Sequence, residues 1–192
     1  PYVKPVPIPG PTTKIILSVI EQNLDVVDHM ELKFVELLGQ GKYGQVFLTE
    51  DDKAVKLEYD QAGREMYKLY KQDISMSVLM SREKIGPRVF EEDTKLTRCL
   101  VYYMDDKKTT IDTLTSITTM QPFEADLGQY LKGVEFVQGS VLKTELETRL
   151  GTAIDKMYEI GILCTDMKPK NVLVNVNSDS LLIEDLKICD FG

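Results

Sequence analysis

Cysteine and histidine are scarce in this sequence of 192 residues, which contains three cysteines and a single histidine. The cysteines are far apart and form no Cys-x-x-Cys pair, so neither a zinc site nor a disulfide framework is expected. This usage fits a reducing, intracellular compartment, either cytoplasmic or nuclear. A catalytic dyad or triad that needs histidine has only His29 to use.

Long apolar runs and an excess of positive charge are also missing. The densest apolar run, residues 15–20, is interrupted by Ser18 and falls far short of the roughly 18 residues that span a bilayer. The chain carries 23 basic and 31 acidic side chains, a net charge of −8. This balance argues against nucleic acid or an anionic membrane as a partner, whereas it permits a basic protein partner.

The N-terminal segment differs in composition from the rest of the chain. Five of the eight prolines lie within the first 11 residues, which is typical of an extended leader. The leader is either a linker or a docking peptide for a partner. Residues 12–24 have apolar side chains at near-helical spacing, which predicts a short amphipathic helix. The length as a whole predicts one domain, with or without an appendage.

Hydrophobic patterning predicts an antiparallel sheet followed by helices. A helix is predicted over residues 64–82, and one or two short helices over residues 123–138. Residues 105–119 show no clear period and are expected to form a connector. Residues 142–160 place their apolar side chains on one helical face, and Gly161 is suited to end that helix. The predicted strands are residues 32–38, 45–49, 54–57, 89–90, 99–103, 172–174 and 186–188.

The glycine-rich string GQGKYGQV (residues 39–46) lies between the first two predicted strands. Glycine lets backbone amides approach phosphate groups closely and tolerates positive φ angles. A dinucleotide-binding fold uses a similar string but requires a helix after it, and here a strand follows. A Walker loop is excluded because Gln45 follows the last glycine. An ordinary hairpin turn is the alternative interpretation.

A lysine and an acid, each placed among apolar residues, follow this string. Lys56 lies among apolar residues on the third predicted strand, where it can be either a fixed charge for phosphate oxygens or a solvated side chain. Asp73 falls in the middle of the apolar face of the helix over residues 64–82, where a carboxylate is costly unless it is paired. An ion pair between Lys56 and Asp73 would resolve this burial. Glu65, on the flank of that face, is the alternative partner, and a helix rotated to expose Asp73 is a third possibility.

Two acidic motifs lie near the C-terminal end. The sequence DMKPKN (residues 166–171) follows the long predicted helix. Asp166 can take a hydroxyl proton, Lys168 can neutralise a transferring phosphate, and the amide oxygen of Asn171 can bind Mg²⁺. Asp190 follows a short predicted strand, and its carboxylate is suited to the same hard cation.

The order and spacing of these motifs resemble the eukaryotic-type protein kinase family, more specifically its serine/threonine members. The matching strings are GQGKYGQV, AVK, DMKPKN and DFG, and they span about residues 31–192. The resemblance implies an α+β fold in which an antiparallel, β-rich N-lobe precedes the first part of a helical C-lobe that stops at DFG. The expected parts are a leader with a short helix (1–30), the N-lobe (31–101), a hinge (102–106) and a partial C-lobe (107–192).

The resemblance also implies cofactors and residue roles. ATP and Mg²⁺ would be the cofactors, and a protein with serine or threonine hydroxyls would be the substrate. Asp166, Lys168 and Lys56 would be catalytic, Asp73 would pair with Lys56, and Asn171 and Asp190 would bind the metal. The implied nucleotide-binding residues are Gly39, Gln40, Gly41, Gly44, Val46, Ala54, Lys56, Tyr102 and Met104.

Two departures from the family pattern leave a second function open. The helix acid is Asp73 where the family has glutamate, and the loop reads Cys164-Thr165-Asp166 where the family has His-Arg-Asp. A kinase-like pseudoenzyme that binds nucleotide or a partner without transfer is therefore the alternative to an active enzyme. A phosphotransferase that acts on small molecules is a third, which the complete glycine string and the DMKPKN order disfavour.

Overall fold

Antiparallel strands and three α-helices make up the described part of the chain. The structure is a computed structural model, and it describes residues 14–20, 26–40, 44–59, 66–103, 109–133 and 139–190. The described residues divide into two compact units. One contains the residues up to Ser75 together with Val89–Pro122, and the other contains Met76–Arg88 and the residues from Phe123 onward.

The first unit is a closed sheet of six antiparallel strands. Its strands pair in the order β1-β2-β3-β4-β6-β5, and β1 also pairs with β5, which closes the ring. The strands are β1 (Lys14–Ile20), β2 (Val26–Gln40), β3 (Gly44–Thr49), β4 (Ala54–Tyr59), β5 (Lys95–Tyr103) and β6 (Thr109–Met120).

Alternation along β4 separates an apolar face from a charged one. Val55, Leu57 and Tyr59 are buried, as expected for side chains that project from one face of a pleated strand. Lys56 and Glu58 project from the other face. β4 is a central strand that pairs with β3 along one edge and with β6 along the other. Each of its side chains therefore has neighbours on both adjacent strands.

Helix α1 (Tyr67–Arg82) is followed by a left-handed residue, Lys84. The division between the two units falls within this helix, after Ser75. Lys84 has a φ angle of 62°, and the backbone amide of Ile85 donates to the carbonyl of Met80 at 2.9 Å. This i to i−5 hydrogen bond is the Schellman arrangement that satisfies carbonyls at a helix C-terminus.

The second unit combines helices with a three-stranded antiparallel sheet. Its elements are β7 (Ala125–Asp126), α2 (Leu127–Gly133), α3 (Gly139–Glu159), β8 (Val172–Val176) and β9 (Ile183–Ile188). The strands pair in the order β7-β8-β9. The largest core cluster of this unit consists of Ala125, Leu127, Tyr130, Leu142, Val172, Val174, Val176, Ile183 and Leu186.

Helix α3 is terminated by a motif that contains Gly161, the residue that the sequence predicts to cap its end. Gly161 has a φ angle of 75° and donates to the carbonyl of Tyr158 at 3.0 Å, while the amide of Ile162 donates to the carbonyl of Met157 at 2.9 Å. These two hydrogen bonds form a Schellman motif, in which glycine is favoured because it has no side chain to strain. The chain is thereby turned toward the DMKPKN loop. None of the described helices is both long and apolar enough to cross a membrane.

The predicted helix over residues 12–24 is wrong where the structure describes it. Residues Lys14–Ile20 form β1, which pairs with β2 and β5. The physical reason is that this run is rich in isoleucine and valine, whose branched side chains favour strands, and two strand partners are available. The predicted leader over 1–30 therefore includes strand residues of the first unit, whereas residues 1–13 and 21–25 lie outside the described residues.

The predicted connector over residues 105–119 and the predicted hinge over residues 102–106 also differ from the structure. Thr109–Met120 is strand β6, and Tyr102 and Tyr103 belong to β5, where Tyr102 pairs with Thr110. The first unit continues to Pro122, so the expected N-lobe boundary at residue 101 falls inside a strand. Residues 104–108, including Met104, lie outside the described residues.

Candidate functional site

The glycine string forms a hairpin between β2 and β3. Gln40 pairs with Gln45 and Gly39 pairs with Val46, and a strand rather than a helix follows the turn. This arrangement excludes the dinucleotide-binding interpretation, which needs a helix there. Gly41 lies in residues 41–43, outside the described residues.

Two of the glycines have different surroundings. A Cβ atom at Gly44 would lie 2.3 Å from the carbonyl oxygen of Leu57 and 2.9 Å from Cγ of Glu58. A Cβ atom at Gly39 would meet nothing within 4 Å. Glycine at position 44 is therefore required by packing against β4, whereas position 39 leaves space through which a ligand could approach the backbone.

Lys56 lies between two carboxylates within the first unit. Its Nζ atom is 3.1 Å from Oδ2 of Asp73 on α1 and 3.0 Å from Oε1 of Glu58 on its own strand. The side chains of Lys56, Glu58 and Asp73 are 16%, 12% and 13% exposed. The structure thus brings together the predicted pair of Lys56 and Asp73, and Glu65 lies outside the described residues.

Glu58 is a residue that the sequence pattern alone did not single out. The pKa of the Glu58 carboxyl is raised to about 7, chiefly by burial and also by the nearby Asp73, while Lys56 acts to lower it. The available signal was its spacing, because residues two apart on a strand share a face. An acid two positions after an inward-facing lysine therefore lies beside that lysine.

Ala54 and Val46 lie close to this charged group in the strand register. Ala54 is two residues before Lys56 on β4 and is buried, and Val46 is directly opposite Lys56 on β3. Because directly paired residues of antiparallel strands share a face, both lie on the face that carries Lys56. Tyr102, predicted to bind adenine as part of a hinge, has its backbone in a paired strand, and its contact with adenine stays a prediction.

The DMKPKN loop brings its three predicted functional residues together within the second unit. Asn171 is 3% exposed, and its Nδ2 atom donates to the backbone carbonyl of Asp166 at 3.1 Å. Its backbone amide donates to the carbonyl of Lys168 at 2.8 Å, within a one-turn 3-10 helix that begins at Pro169. The buried asparagine therefore holds the loop in a closed turn.

Asp166 and Lys168 form an ion pair at the surface of this loop. The Nζ atom of Lys168 donates to Oδ2 of Asp166, and both side chains are about half exposed. The hydrogen bond to Asp166, reinforced by the charge of Asp190, raises the pKa of the Lys168 ammonium above its usual value. Lys168 is therefore a full cation at neutral pH.

Asp190 is connected to the same loop through the backbone. The amide of Cys189 donates to the carbonyl of Asn171 at 2.8 Å, and Asp190 follows with a φ angle of 56°. This hydrogen bond links the end of β9 to the loop that precedes β8, so the two predicted metal ligands belong to one locally bonded group. Phe191 and Gly192 lie outside the described residues.

The donor set fits Mg²⁺ better than a transition metal. No three His, Cys, Asp or Glu side chains within the described ranges lie together as a metal cluster. Asn171 uses its amide nitrogen in the bond to Asp166, which leaves the amide oxygen for a cation, and Asp190 supplies a carboxylate. Mg²⁺ is commonly held by one or two such hard oxygen ligands together with substrate phosphates.

Comparison with known proteins points to kinases. No family model matches the chain. The chain is 24% identical over 188 residues to ribosomal protein S6 kinase alpha-2 of Homo sapiens. That match covers 90% of this chain and 22% of the human protein, so the chain spans less than a quarter of its relative's length. The similarity supports a distant kinase-like relationship, with which the observed α+β architecture is compatible.

Proposed function

We propose that the protein is a kinase that transfers the γ-phosphate of Mg-ATP to serine or threonine hydroxyls of a protein substrate. The observation that carries the proposal is the bonding of Asn171, which joins the Asp166 backbone to the backbone beside Asp190. These hydrogen bonds connect the segments that carry an exposed acid, Asp166, and a cation, Lys168, with the two proposed Mg²⁺ ligands, Asn171 and Asp190. The distant similarity to a serine/threonine kinase supports the same conclusion.

Lys56 is proposed to contact the α- and β-phosphates. Its ion pair with Asp73 would hold the ammonium in place on β4, since a fixed charge loses little side-chain entropy when phosphate binds. Gly39 is proposed to admit the phosphate chain close to the backbone, because no atom would meet a side chain there. Gly44 would instead maintain the packing of β3 against β4.

Asn171 and Asp190 are proposed to hold Mg²⁺ through an amide oxygen and a carboxylate. When bound, the ion neutralises charge on the phosphate oxygens. The contribution of the chain is to fix the two ligands relative to each other. The hydrogen bond from Cys189 to Asn171 serves this purpose, because it involves the backbone of both segments.

Asp166 is proposed to accept the proton of the substrate hydroxyl. As that oxygen bonds to the γ-phosphorus, the bond between the γ-phosphorus and the bridging oxygen breaks and ADP leaves. Lys168 pairs with Asp166 in this structure and is proposed to neutralise the γ-phosphoryl oxygens when nucleotide is present. Both side chains are exposed enough to meet a substrate.

The test is transfer of labelled phosphate from Mg-ATP to a mixture of basic and acidic proteins by the full-length protein that carries these residues. Asp166→Asn is expected to lower turnover by at least ~10²-fold while nucleotide binding is kept, because only the proton acceptor is lost. Asp155→Asn, the same substitution at an exposed position of α3, is the matched control and should retain wild-type turnover. Lys56→Met should also lose activity.

Equal turnover in Asp166→Asn and wild type would remove Asp166 from the proposed role. ATP binding without transfer by the unmodified protein would favour the pseudoenzyme over the kinase. Transfer to an aminoglycoside or choline but to no protein would favour a small-molecule phosphotransferase. Transfer is read from the labelled-ATP reaction with each class of acceptor, and ATP binding is measured separately on the same protein.

A further inference from the structure

Glu58 lies in a group of buried polar side chains that spans two strands. In the register of the sheet, Glu58 is directly opposite Ser116 and Lys56 is directly opposite Thr118 on β6. Side chains paired in this way are roughly 4.5–5.5 Å apart at their Cβ atoms and share one face. The two hydroxyls of β6 therefore lie beside the Lys56–Glu58 pair.

Three oxygens of this group are buried without a hydrogen-bond partner among the described residues. They are Oε2 of Glu58, Oγ of Ser116 and Oγ1 of Thr118. Both β6 residues are 0% exposed. An ionised carboxylate with one oxygen buried and unpaired is unfavourable, whereas a protonated carboxyl is neutral and costs less to bury.

The charges around Glu58 point in the same direction. Lys56 carries one positive charge, and Asp73 and Glu58 would supply two negative charges if both were ionised. The position opposite Glu58 on β3 is Gly44, and the position opposite on β6 is Ser116, so neither strand offers a charge there. A second anion beside the single ammonium lacks a counter-charge among these residues.

We propose that Glu58 is a positioning residue for Lys56 and acts in its neutral, proton-bearing form. Oε1 accepts a hydrogen bond from the Lys56 ammonium, the buried Oε2 carries the proton, and Asp73 alone supplies the counter-charge. The raised pKa of Glu58, about 7, agrees with this assignment.

The consequence for phosphate binding rests on the proposed kinase function. A neutral Glu58 leaves the Lys56–Asp73 pair with no net charge, so phosphate oxygens meet an ammonium that is held in place without added repulsion. Ionised Glu58 adds a negative charge next to the proposed phosphate contact. It also binds the Lys56 ammonium more tightly, because the hydrogen bond becomes an ion pair. ATP binding should then weaken as Glu58 loses its proton.

The first experiment measures the Lys56 amine directly and needs no enzymatic activity. Trace labelling with acetic anhydride, followed by mass mapping of the peptide that contains Lys56, measures how fast the Lys56 amine is acetylated. This rate falls when the amine is buried or held as a hydrogen-bonded ammonium. Glu58→Gln should label within about twofold of wild type, because the amide keeps an acceptor for Lys56. Asp73→Asn and Glu58→Leu should label about tenfold faster or more, the scale of one lost hydrogen bond to a charged group.

Glu58→Gln and Asp73→Asn are a matched isosteric pair, so their comparison remains informative even when Glu58→Leu fails to fold. Equal acceleration of labelling in these two variants would show that Glu58 acts as an anion and would overturn the proposal. Unchanged labelling in a folded Glu58→Leu variant would show that Glu58 does not position Lys56.

The second experiment locates the proton. The ¹³C resonance of the Glu58 carboxyl, assigned by its loss in Glu58→Gln, should titrate with a midpoint near 7. A midpoint close to the ordinary glutamate value of about 4.3 would contradict the neutral form at physiological pH.

The third experiment connects the residue to nucleotide binding. The KM for ATP of the wild-type protein should rise roughly three- to tenfold between pH 6 and pH 8, since one partly screened charge is added beside the phosphates. In Glu58→Gln this change with pH should be absent, and a persistent change would assign it to another group. Absence of transfer in every variant, with the expected labelling and titration, would reject the kinase proposal and leave the assignment of Glu58 intact.

Discussion

Gly39 on β2 and Gly44 on β3 differ in the space that each leaves for a side chain. Gly44→Ala is expected to destabilise the protein by about 1–3 kcal/mol, because the added Cβ would lie 2.3 Å from the backbone oxygen of Leu57. Gly39→Ala is the matched control and should change the free energy of unfolding by no more than about 1 kcal/mol, since nothing lies within 4 Å. Denaturant unfolding of both variants measures the difference, and equal values would contradict the close approach of β3 and β4.

Glu58 predicts a dependence of stability on pH. Its pKa is raised from 4.5 to about 7 in the folded protein, so between these values the folded state keeps a proton that the unfolded state has lost. This stability is fully present below about pH 4.5 and is lost as pH rises to about 7, by at most about 3 kcal/mol.

The measurement that isolates this effect is the difference between wild type and Glu58→Gln. Other carboxyl groups contribute equally to both proteins, so the wild-type free energy of unfolding should fall relative to that of the variant across this window. Parallel stability curves for the two proteins would mean that Glu58 ionises normally in the folded state.

Among the elements, helix α3 and the motif that ends it contain two glycines in contrasting positions, Gly151 and Gly161. Gly161 has a φ angle of 75° in the Schellman motif, so Gly161→Ala is expected to destabilise the protein by about 1 kcal/mol or slightly more. Gly151 lies within the helix, and an added Cβ atom there would meet nothing within 4 Å, so Gly151→Ala should stabilise the helix by roughly 0.5–1 kcal/mol. Thermal unfolding should give melting temperatures that move in opposite directions, and shifts of the same sign would contradict this assignment.

The position of α3 also matters for the DMKPKN loop. The chain leaves the helix at Gly161 and reaches Asp166 within a few residues, so the C-terminal motif sets where the loop begins. A variant that extends the helix by even part of a turn would displace Asp166 from the carbonyl contact with Asn171. The Gly161→Ala variant therefore also tests whether loop geometry and turnover decline together.

Across the chain as a whole, the two compact units carry different parts of the proposed chemistry. The first holds Lys56, Asp73 and Glu58, and the second holds Asp166, Lys168, Asn171 and Asp190. The similarity to the human kinase covers both units, since it extends over 90% of the chain. The relative at 24% identity supports a kinase-like protein, and the labelled-ATP experiment decides whether the chemistry is retained.

Several features of the fold and site could be predicted because they depend on neighbours in the sequence. Helix α1, the hairpin at the glycine string and the end of α3 at Gly161 all follow local patterns. Asp73 could also be identified from its helical face as the acid that contacts Lys56, because a carboxylate in the middle of an apolar stripe must find a partner.

Strand β6 could not be predicted in this way. Residues 115–119 are all buried, so this part of the strand has no exposed face and shows no alternation of exposed and buried side chains. Its threonine-rich sequence resembles a connector until its pairing with β4 and β5 is known. The hinge at residues 102–106 is implied by the family resemblance; Tyr102 and Tyr103 belong to β5, and residues 104–106 lie outside the described residues.

The sequence by itself determined the local motifs: which residues turn, which form amphipathic helices, and which charged side chains need partners. Tertiary structure alone decided that Lys14–Ile20 closes the sheet as a strand, since isoleucine-rich segments with near-helical spacing suit either state until two strands are present to pair with it. It also decided the surroundings of Glu58. Glu58 lies on β4, the opposing hydroxyls lie on β6 and the second carboxylate lies on α1. Only long-range contacts between these elements bring the groups together.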